Sequence, residues 1–293
     1  MTLSESKAAV SLIQLDVRPL APAENLEKMH HFAMEQIKAG AQIIVFPELC
    51  NTGYVEPLAP GGVFLEKKSF AEYLAELHQV SEAVNGPYTR WMRDLCTRHK
   101  VHIVAGLATK HPSLVGCLYN SSILMKPDGE YFVYHKIHRW HMEKLYFVAG
   151  ECIEVQDSDF GKIGMQICYD IRFPEVTRVM ALKGAQIITN IWASFRHVNS
   201  PVADDELFVH RAYTRAVENG VFFLSCNRAG QHGDFCFMGR SCILAPDGRV
   251  IAQSSSENEE VVSAEINISE VASYRSSTGI FTDRRHDVYQ KYF

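Results

Sequence analysis

Paired cysteines are missing from this 293-residue chain: its eight cysteines stand singly, with no CxxC pair and no Cys/His zinc spacing. In a chain of this length that pattern reads as reduced thiols rather than a disulfide framework. Long lysine or arginine blocks are missing too, and the formal net charge is -5, which excludes a general basic surface for nucleic acid. No apolar stretch approaches the roughly 18 residues needed to span a bilayer, and Met1-Thr2-Leu3-Ser4-Glu5-Ser6-Lys7 has no signal-peptide core. The expectation is a soluble, cytoplasmic protein without nucleic-acid or membrane partners. The 13 histidines include the close set His135, His138 and His141. No acidic partners accompany them at metallohydrolase spacing, so no metal is expected. What the chain does have is 47% hydrophobic and 22% charged residues, sufficient for a large core in one domain or two fused halves.

Four segments recur in the same order, which marks an internal repeat. Val10–Asp16, Ala39–Ile44, Val101–Gly106 and Ser122–Gly129 are answered by Ile163–Cys168, Lys183–Ile188, Val221–Cys226 and Ser241–Gly248. The match is most literal where Gly40-Ala41-Gln42-Ile43-Ile44 meets Gly184-Ala185-Gln186-Ile187-Ile188, and where Pro127-Asp128-Gly129 meets Pro246-Asp247-Gly248. Strands alternate with helix-like stretches such as 23–39 and 174–183, and each half closes on a Pro-Asp-Gly turn suited to a hairpin. Alternating elements imply a sheet with helices on one face of each half. Two such sheets bury their free faces against each other, so the expected fold is α/β, a four-layer αββα sandwich with a pseudo-two-fold repeat. The expected organisation is a single domain over 1–293, with halves at about 8–135 and 160–265 and a tail at 266–293.

Three apolar runs break abruptly into chemistry-bearing residues. Ile163-Gly164-Met165-Gln166-Ile167 reaches Cys168 and gives way to Tyr169-Asp170-Ile171-Arg172-Phe173-Pro174-Glu175. The thiol therefore belongs at the carboxyl end of a buried strand, the edge where ligand crevices form in open α/β sheets. Gln42-Ile43-Ile44-Val45-Phe46-Pro47 delivers Glu48, and Tyr131-Phe132-Val133-Tyr134-His135 delivers Lys136. Any one of these is unremarkable by itself, since free cysteines are commonly buried and charged residues commonly solvated. Together they supply a thiol, a base to deprotonate it and a cation for a developing oxyanion. The Lys136 ammonium is expected to depress the pKa of the thiol.

These motifs resemble those of the nitrilase, or carbon-nitrogen hydrolase, superfamily over nearly the whole length. The likeness lies in Phe46-Pro47-Glu48-Leu49 with Gly53-Tyr54, in Tyr134-His135-Lys136-Ile137-His138, and in Ile167-Cys168-Tyr169-Asp170-Ile171-Arg172-Phe173-Pro174-Glu175. The resemblance implies the αββα sandwich independently of the repeat, assembly as homodimers or larger homo-oligomers, and a small-molecule substrate. It also implies Glu48 as acid/base, Lys136 with the backbone N–H of Tyr169 at the oxyanion, and Cys168 as nucleophile. Glu143, followed by Phe147 and Gly150, resembles the family's second glutamate, and Arg211, Ala212, Arg215, Ala216, Glu218 and Asn219 resemble its helix before the third strand of the second half. The stretch His138-Arg139-Trp140-His141-Met142 departs from the family pattern.

Tyr169-Asp170 after the cysteine resembles amidase branches rather than nitrile-cleaving ones, which usually carry Trp-Glu. The implied activity is hydrolysis of a small amide or N-carbamoyl substrate through a thioester, with no cofactor. A nitrilase, or a non-catalytic scaffold of the same family, is the alternative. Arg172 occupies a position that binds a substrate carboxylate in some relatives, and a guanidinium suits that task; the competing reading pairs it with Asp170 or Glu175. Tyr54, Trp140, Trp192 and Phe195 follow strand ends and are the aromatic residues expected to wall a pocket.

Overall fold

The computed structural model describes residues 7–54, 69–197 and 206–292. The expected halves run through 55–68 and 198–205, and the tail ends at 293; these lie outside the described residues. The first half runs β1 (Lys7–Gln14), α1 (Pro22–Lys38), β2 (Ile43–Val45), α2 (Phe70–Val80), α3 (Pro87–His99), β3 (His102–Lys110), β4 (Leu118–Met125), β5 (Tyr131–His135), β6 (Phe147–Val148) and β7 (Val155–Ser158). The second runs β8 (Gly161–Ile167), α4 (Pro174–Leu182), β9 (Ile187–Trp192), β10 (Phe195–His197), α5 (Leu207–Asn219), β11 (Phe222–Asn227), β12 (Gln231–His232), β13 (Phe235–Phe237), β14 (Cys242–Leu244), β15 (Val250–Gln253) and β16 (Glu260–Asn267), followed by α6 (Ser269–Thr278) and α7 (His286–Tyr289).

The sequence echo corresponds to hydrogen bonds. Gln42 donates its N–H to Ala9 and accepts from His102, while Gln186 donates to Lys162 and accepts from Phe222, so each glutamine seats its strand between two neighbours. Gly40 and Gly184 stop the preceding helices at φ 91° and 95°, backbone that glycine adopts without a side-chain clash. The two Pro-Asp-Gly turns close equivalent hairpins, with Gly129 donating to Lys126 and Gly248 to Ala245.

Two sheets result. One has the order β16-β1-β2-β3-β4-β5, with β6 beside β4; the other has the order β15-β14-β11-β9-β8-β7. Read from opposite ends, their pairings agree: antiparallel at β16/β1 and β7/β8, parallel through the next two contacts, antiparallel thereafter. One feature departs from the expectation of a separate sheet in each half. The final strand of the first half, β7, pairs with β8, and the final strand of the second half, β16, pairs with β1, so the halves exchange their last strands.

Strand alternation makes the layers. Ile13, Ile44, Phe46, Ile103 and Ile123 of the first sheet pack on Met29 and Ala33 of α1 and on Tyr88, Met92 and Leu95 of α3. The intervening residues, Val10, Leu12, Ile43, Val45 and Val104, join the core of the second sheet. That core continues to Val176 and Met180 of α4 and to Val209, Ala212 and Ala216 of α5, which gives the αββα order. No helix among the described residues is long and apolar enough to cross a membrane.

Candidate active site

Glu48, Lys136 and Cys168 all follow strand ends, after β2, β5 and β8. The Glu48 N–H donates to the Trp192 carbonyl at 3.2 Å, which joins the two sheets where β2 and β9 finish. Gly106 permits this: a Cβ there would stand 2.6 Å from the Glu48 Cα and 2.6 Å from the Pro47 oxygen. On the lysine side, a Cβ on Gly150 would stand 2.0 Å from the His135 oxygen. The Gly150 N–H donates to the Lys136 carbonyl, and Lys136 donates its own N–H to Asn120.

The charged groups form one buried cluster. Lys136 Nζ donates to Glu48 Oε1 at 2.7 Å and to Glu143 Oε1 at 2.8 Å, and none of the three side chains reaches solvent. Asn120 Nδ2 donates to the same Glu48 oxygen at 2.6 Å, and the Trp140 N–H donates to Glu143 Oε2 at 2.8 Å. Burial disfavours the ammonium, but Glu143 and Glu48 outweigh it and hold the Lys136 pKa well above its usual value. Burial raises the Glu143 pKa, with Lys136 opposing and Glu48 adding to the rise. Glu48 Oε2 alone of these carboxylate oxygens has no hydrogen-bond partner among the described residues, so one lone-pair face is free to take a proton.

Cys168 opens a 3-10 turn, Cys168–Arg172, with φ at 45°. A non-glycine residue in that region is uncommon and is held there by its surroundings. Asp170 supplies the hold. Its Oδ2 accepts from the Tyr134 hydroxyl at 2.7 Å and the Ile167 N–H at 3.1 Å, and its Oδ1 accepts from the His138 N–H and bonds His138 Nδ1, both at 2.9 Å. The Cys168 turn and the lysine segment are thus tied through one buried carboxylate.

Lys136 lowers the thiol pKa in the expected direction, but the net shift is the opposite: Cys168 is raised to about 12. Burial contributes most, and Glu48 and Glu143 add to it, while Lys136 and the Ser194 hydroxyl at 3.9 Å oppose. One ammonium shared by two carboxylates cannot offset them and desolvation as well. Glu48, Lys136 and Glu143 all act on this thiol, which places the four groups in one electrostatic unit.

A cavity of about 470 Å³ opens over Cys168 and Glu143. Tyr54, Trp140, Trp192, Phe195, Tyr169 and Arg172 all line it. Phe195 packs against Tyr54 at 5.7 Å between centroids and edge-on to Phe235 at 4.7 Å. Arg172 pairs with neither Asp170 nor Glu175; its guanidinium lies over the rings of Trp140 at 4.8 Å and Tyr169 at 5.4 Å. The three close histidines separate: His135 stacks on Tyr119, His138 on Phe173 and His141 on Trp140. No metal-binding group of His, Cys, Asp or Glu occurs among the described residues.

Sequence reasoning missed Asp170 as the tie, having weighed it only as a branch marker and a partner for Arg172. It also missed Arg228 as a support of the pocket: this fully buried residue donates to the carbonyls of Val17 and Tyr54 and lies over the Phe237 ring at 3.7 Å. For both, the available signal was a charged residue within three positions of the end of a largely apolar run, Cys226 before Arg228 and Ile167 before Asp170.

Residues 9–276 match the family model for carbon-nitrogen hydrolases. A protein from Pyrococcus abyssi named as a nitrilase is 33% identical over 284 residues, covering 96% of this chain and 98% of its own. The 2-oxoglutaramate amidase of Bacillus subtilis is 32% identical over 287 residues, covering 97% and 100%. Among solved structures, the carbon-nitrogen hydrolase of Helicobacter pylori G27 superposes with a TM-score of 0.85 at 22% identity over 98% of each chain, a likeness of fold.

Proposed function

The chain belongs to the carbon-nitrogen hydrolase family, and from that premise we propose that it hydrolyses a small amide or N-carbamoyl compound through a thioester on Cys168. One observation carries the reading: a thiol at the floor of an aromatic cavity sits in one electrostatic unit with a buried lysine and two carboxylates, one oxygen of which is unpartnered. The raised thiol pKa means that the resting sulfur is protonated, so deprotonation accompanies attack. Glu48 Oε2 takes the thiol proton as sulfur bonds to the carbonyl carbon, and the oxyanion develops against Lys136 Nζ and the Tyr169 N–H. Collapse breaks the C–N bond, and Glu48 returns the proton to the departing ammonia or amine. Water, deprotonated by Glu48, then attacks the thioester; the acid product leaves and sulfur regains its proton. Glu143 is the second carboxylate on Lys136 Nζ and keeps the ammonium charged throughout. No cofactor enters this route.

The Tyr169-Asp170 pair and the amidase among the relatives support an amide; the relative named as a nitrilase supports a nitrile as the second reading. Ammonia release is measured over amides, N-carbamoyl amino acids and nitriles, with Cys168→Ala alongside. Release from amides or N-carbamoyl compounds that vanishes in the alanine variant, with its circular dichroism unchanged, is expected. Release from nitriles alone moves the assignment to the second reading, and none from any class points to a scaffold.

A further inference from the structure

We infer that Ser194 is a further catalytic residue: its hydroxyl donates a hydrogen bond to the Cys168 sulfur whenever that sulfur carries negative charge, in attack on the substrate and again when the thioester breaks. The inference deepens the reading of Cys168 as the nucleophile of an amide hydrolase and rests on it. No motif in the sequence includes Ser194.

The geometry rests on three observations. Ser194 Oγ stands 3.9 Å from Cys168 Sγ, within hydrogen-bonding range for sulfur, and among the described residues it is the one hydrogen-bond partner of that sulfur. Ser194 also lines the cavity beside Cys168, so the hydroxyl faces the space where a substrate meets the thiol. Its backbone, finally, is held on both sides. The Ser194 N–H donates to Asn227 Oδ1 at 3.1 Å, and its carbonyl accepts from the Met238 N–H at 3.0 Å. Asn227 is itself buried and donates through Nδ2 to the Gly239 carbonyl at 2.8 Å. The same loop begins at Trp192, whose carbonyl accepts the Glu48 N–H, so base and hydroxyl share one frame around the sulfur.

A hydroxyl offers one donor and two acceptor sites, and its proton rotates to suit its neighbour. As Glu48 Oε2 takes the thiol proton, the Ser194 hydroxyl turns its O–H to the anionic sulfur and keeps its own proton throughout. A hydrogen bond to an ionised partner is about twice as strong as one between neutral groups, so the contact favours thiolate over thiol. Ser194 accordingly stands with Lys136 among the groups that oppose the rise of the Cys168 pKa. The two differ in their commitments: the Lys136 ammonium is bonded to Glu48 and Glu143, whereas the Ser194 hydroxyl serves the sulfur. When water breaks the thioester, the sulfur departs as an anion, and a stabilised thiolate leaves faster.

The test uses iodoacetamide, which alkylates the thiolate with loss of iodide, on the full chain at pH 8, with the Cys168 peptide read by mass spectrometry. Ser194→Ala and Ser194→Gly both delete the hydroxyl and are made in parallel, so that a folding defect in one leaves the other. A raised thiol pKa leaves fewer thiolates, each more nucleophilic, and with a Brønsted slope of about 0.4–0.5 the loss in number prevails. Each folded variant is therefore expected to label at least threefold more slowly than wild type and to lose at least fivefold in kcat/KM for the best amide. A smaller reduction in labelling, faster labelling, or a smaller loss in kcat/KM overturns the inference and leaves the hydrolase reading standing. If no amide releases ammonia, the hydrolase reading fails, and the hydrogen bond to sulfur still stands or falls on the labelling rates.

Discussion

Asp170 accepts the Tyr134 hydroxyl at 2.7 Å, and through this bond the turn that presents Cys168 is fastened to the strand that delivers Lys136. The two segments come from different sheets, so their alignment rests on side chains rather than on a backbone ladder. Replacing Asp170 with Asn turns one acceptor into a donor facing donors. Each buried group left unpaired costs about 1–3 kcal/mol, which for a chain of this size lowers Tm by about 2–5 °C. Thermal unfolding by circular dichroism and kcat for the best amide should fall together in D170N; an unchanged Tm would show that the tie carries no weight.

Glu48→Gln should separate two properties that a simple triad would move together. Loss of the proton acceptor should reduce kcat by about 10²–10⁴-fold. Removing its negative charge should also lower the Cys168 pKa from about 12, since Glu48 is among the groups that raise it. Iodoacetamide labelling across pH reads the thiolate directly: the inactive variant should alkylate faster than wild type at pH 8. Equal labelling rates would remove Glu48 from the electrostatic environment of the sulfur.

Gly106→Ala places a methyl 2.6 Å from the Glu48 Cα. Overpacking of this kind costs about 1–3 kcal/mol, and here the displaced backbone carries Glu48. Turnover at 25 °C should therefore drop at least tenfold in a protein that remains folded. Activity at wild-type level would mean that the loop yields without moving the carboxylate.

Away from the cavity, Glu82 caps α3 by accepting the Tyr88 N–H at 3.2 Å, and its carboxyl is pushed up to about 7, chiefly by burial. The folded pKa lies above the ordinary value of 4.5, so between these limits the folded protein holds a proton that the unfolded chain releases. Stability from this group is present below pH 4.5 and is lost as pH rises through 7, at about 1.4 kcal/mol per unit of separation. Tm measured from pH 5 to 8 should decline more steeply in wild type than in E82Q; parallel curves would place the raised pKa elsewhere.

Much of the molecule is legible in local pattern. Apolar runs ending in Glu48, Lys136 and Cys168 mark strand ends, and the paired Gly-Ala-Gln-Ile-Ile segments mark equivalent strands because Gln42 and Gln186 make the same backbone bonds. The exchange of β7 and β16 was not legible, since partner choice for an edge strand is a long-range property that alternation cannot encode. The direction of the Cys168 shift is hidden for a related reason: burial and two carboxylates act together against one ammonium, and sequence states the charges but not the burial. Ser194 and Asp170 gave no periodic signal, because their importance lies in which neighbours they join.

The traded edge strands bind the two halves into a mutual scaffold. A polypeptide of 160–292 made alone would bring β16 with no β1 to receive it and would leave β8 with a raw hydrogen-bonding margin, the kind of edge that recruits foreign chains. Neither portion is a self-sufficient module, and severing them would leave two sticky fragments whose cure is each other.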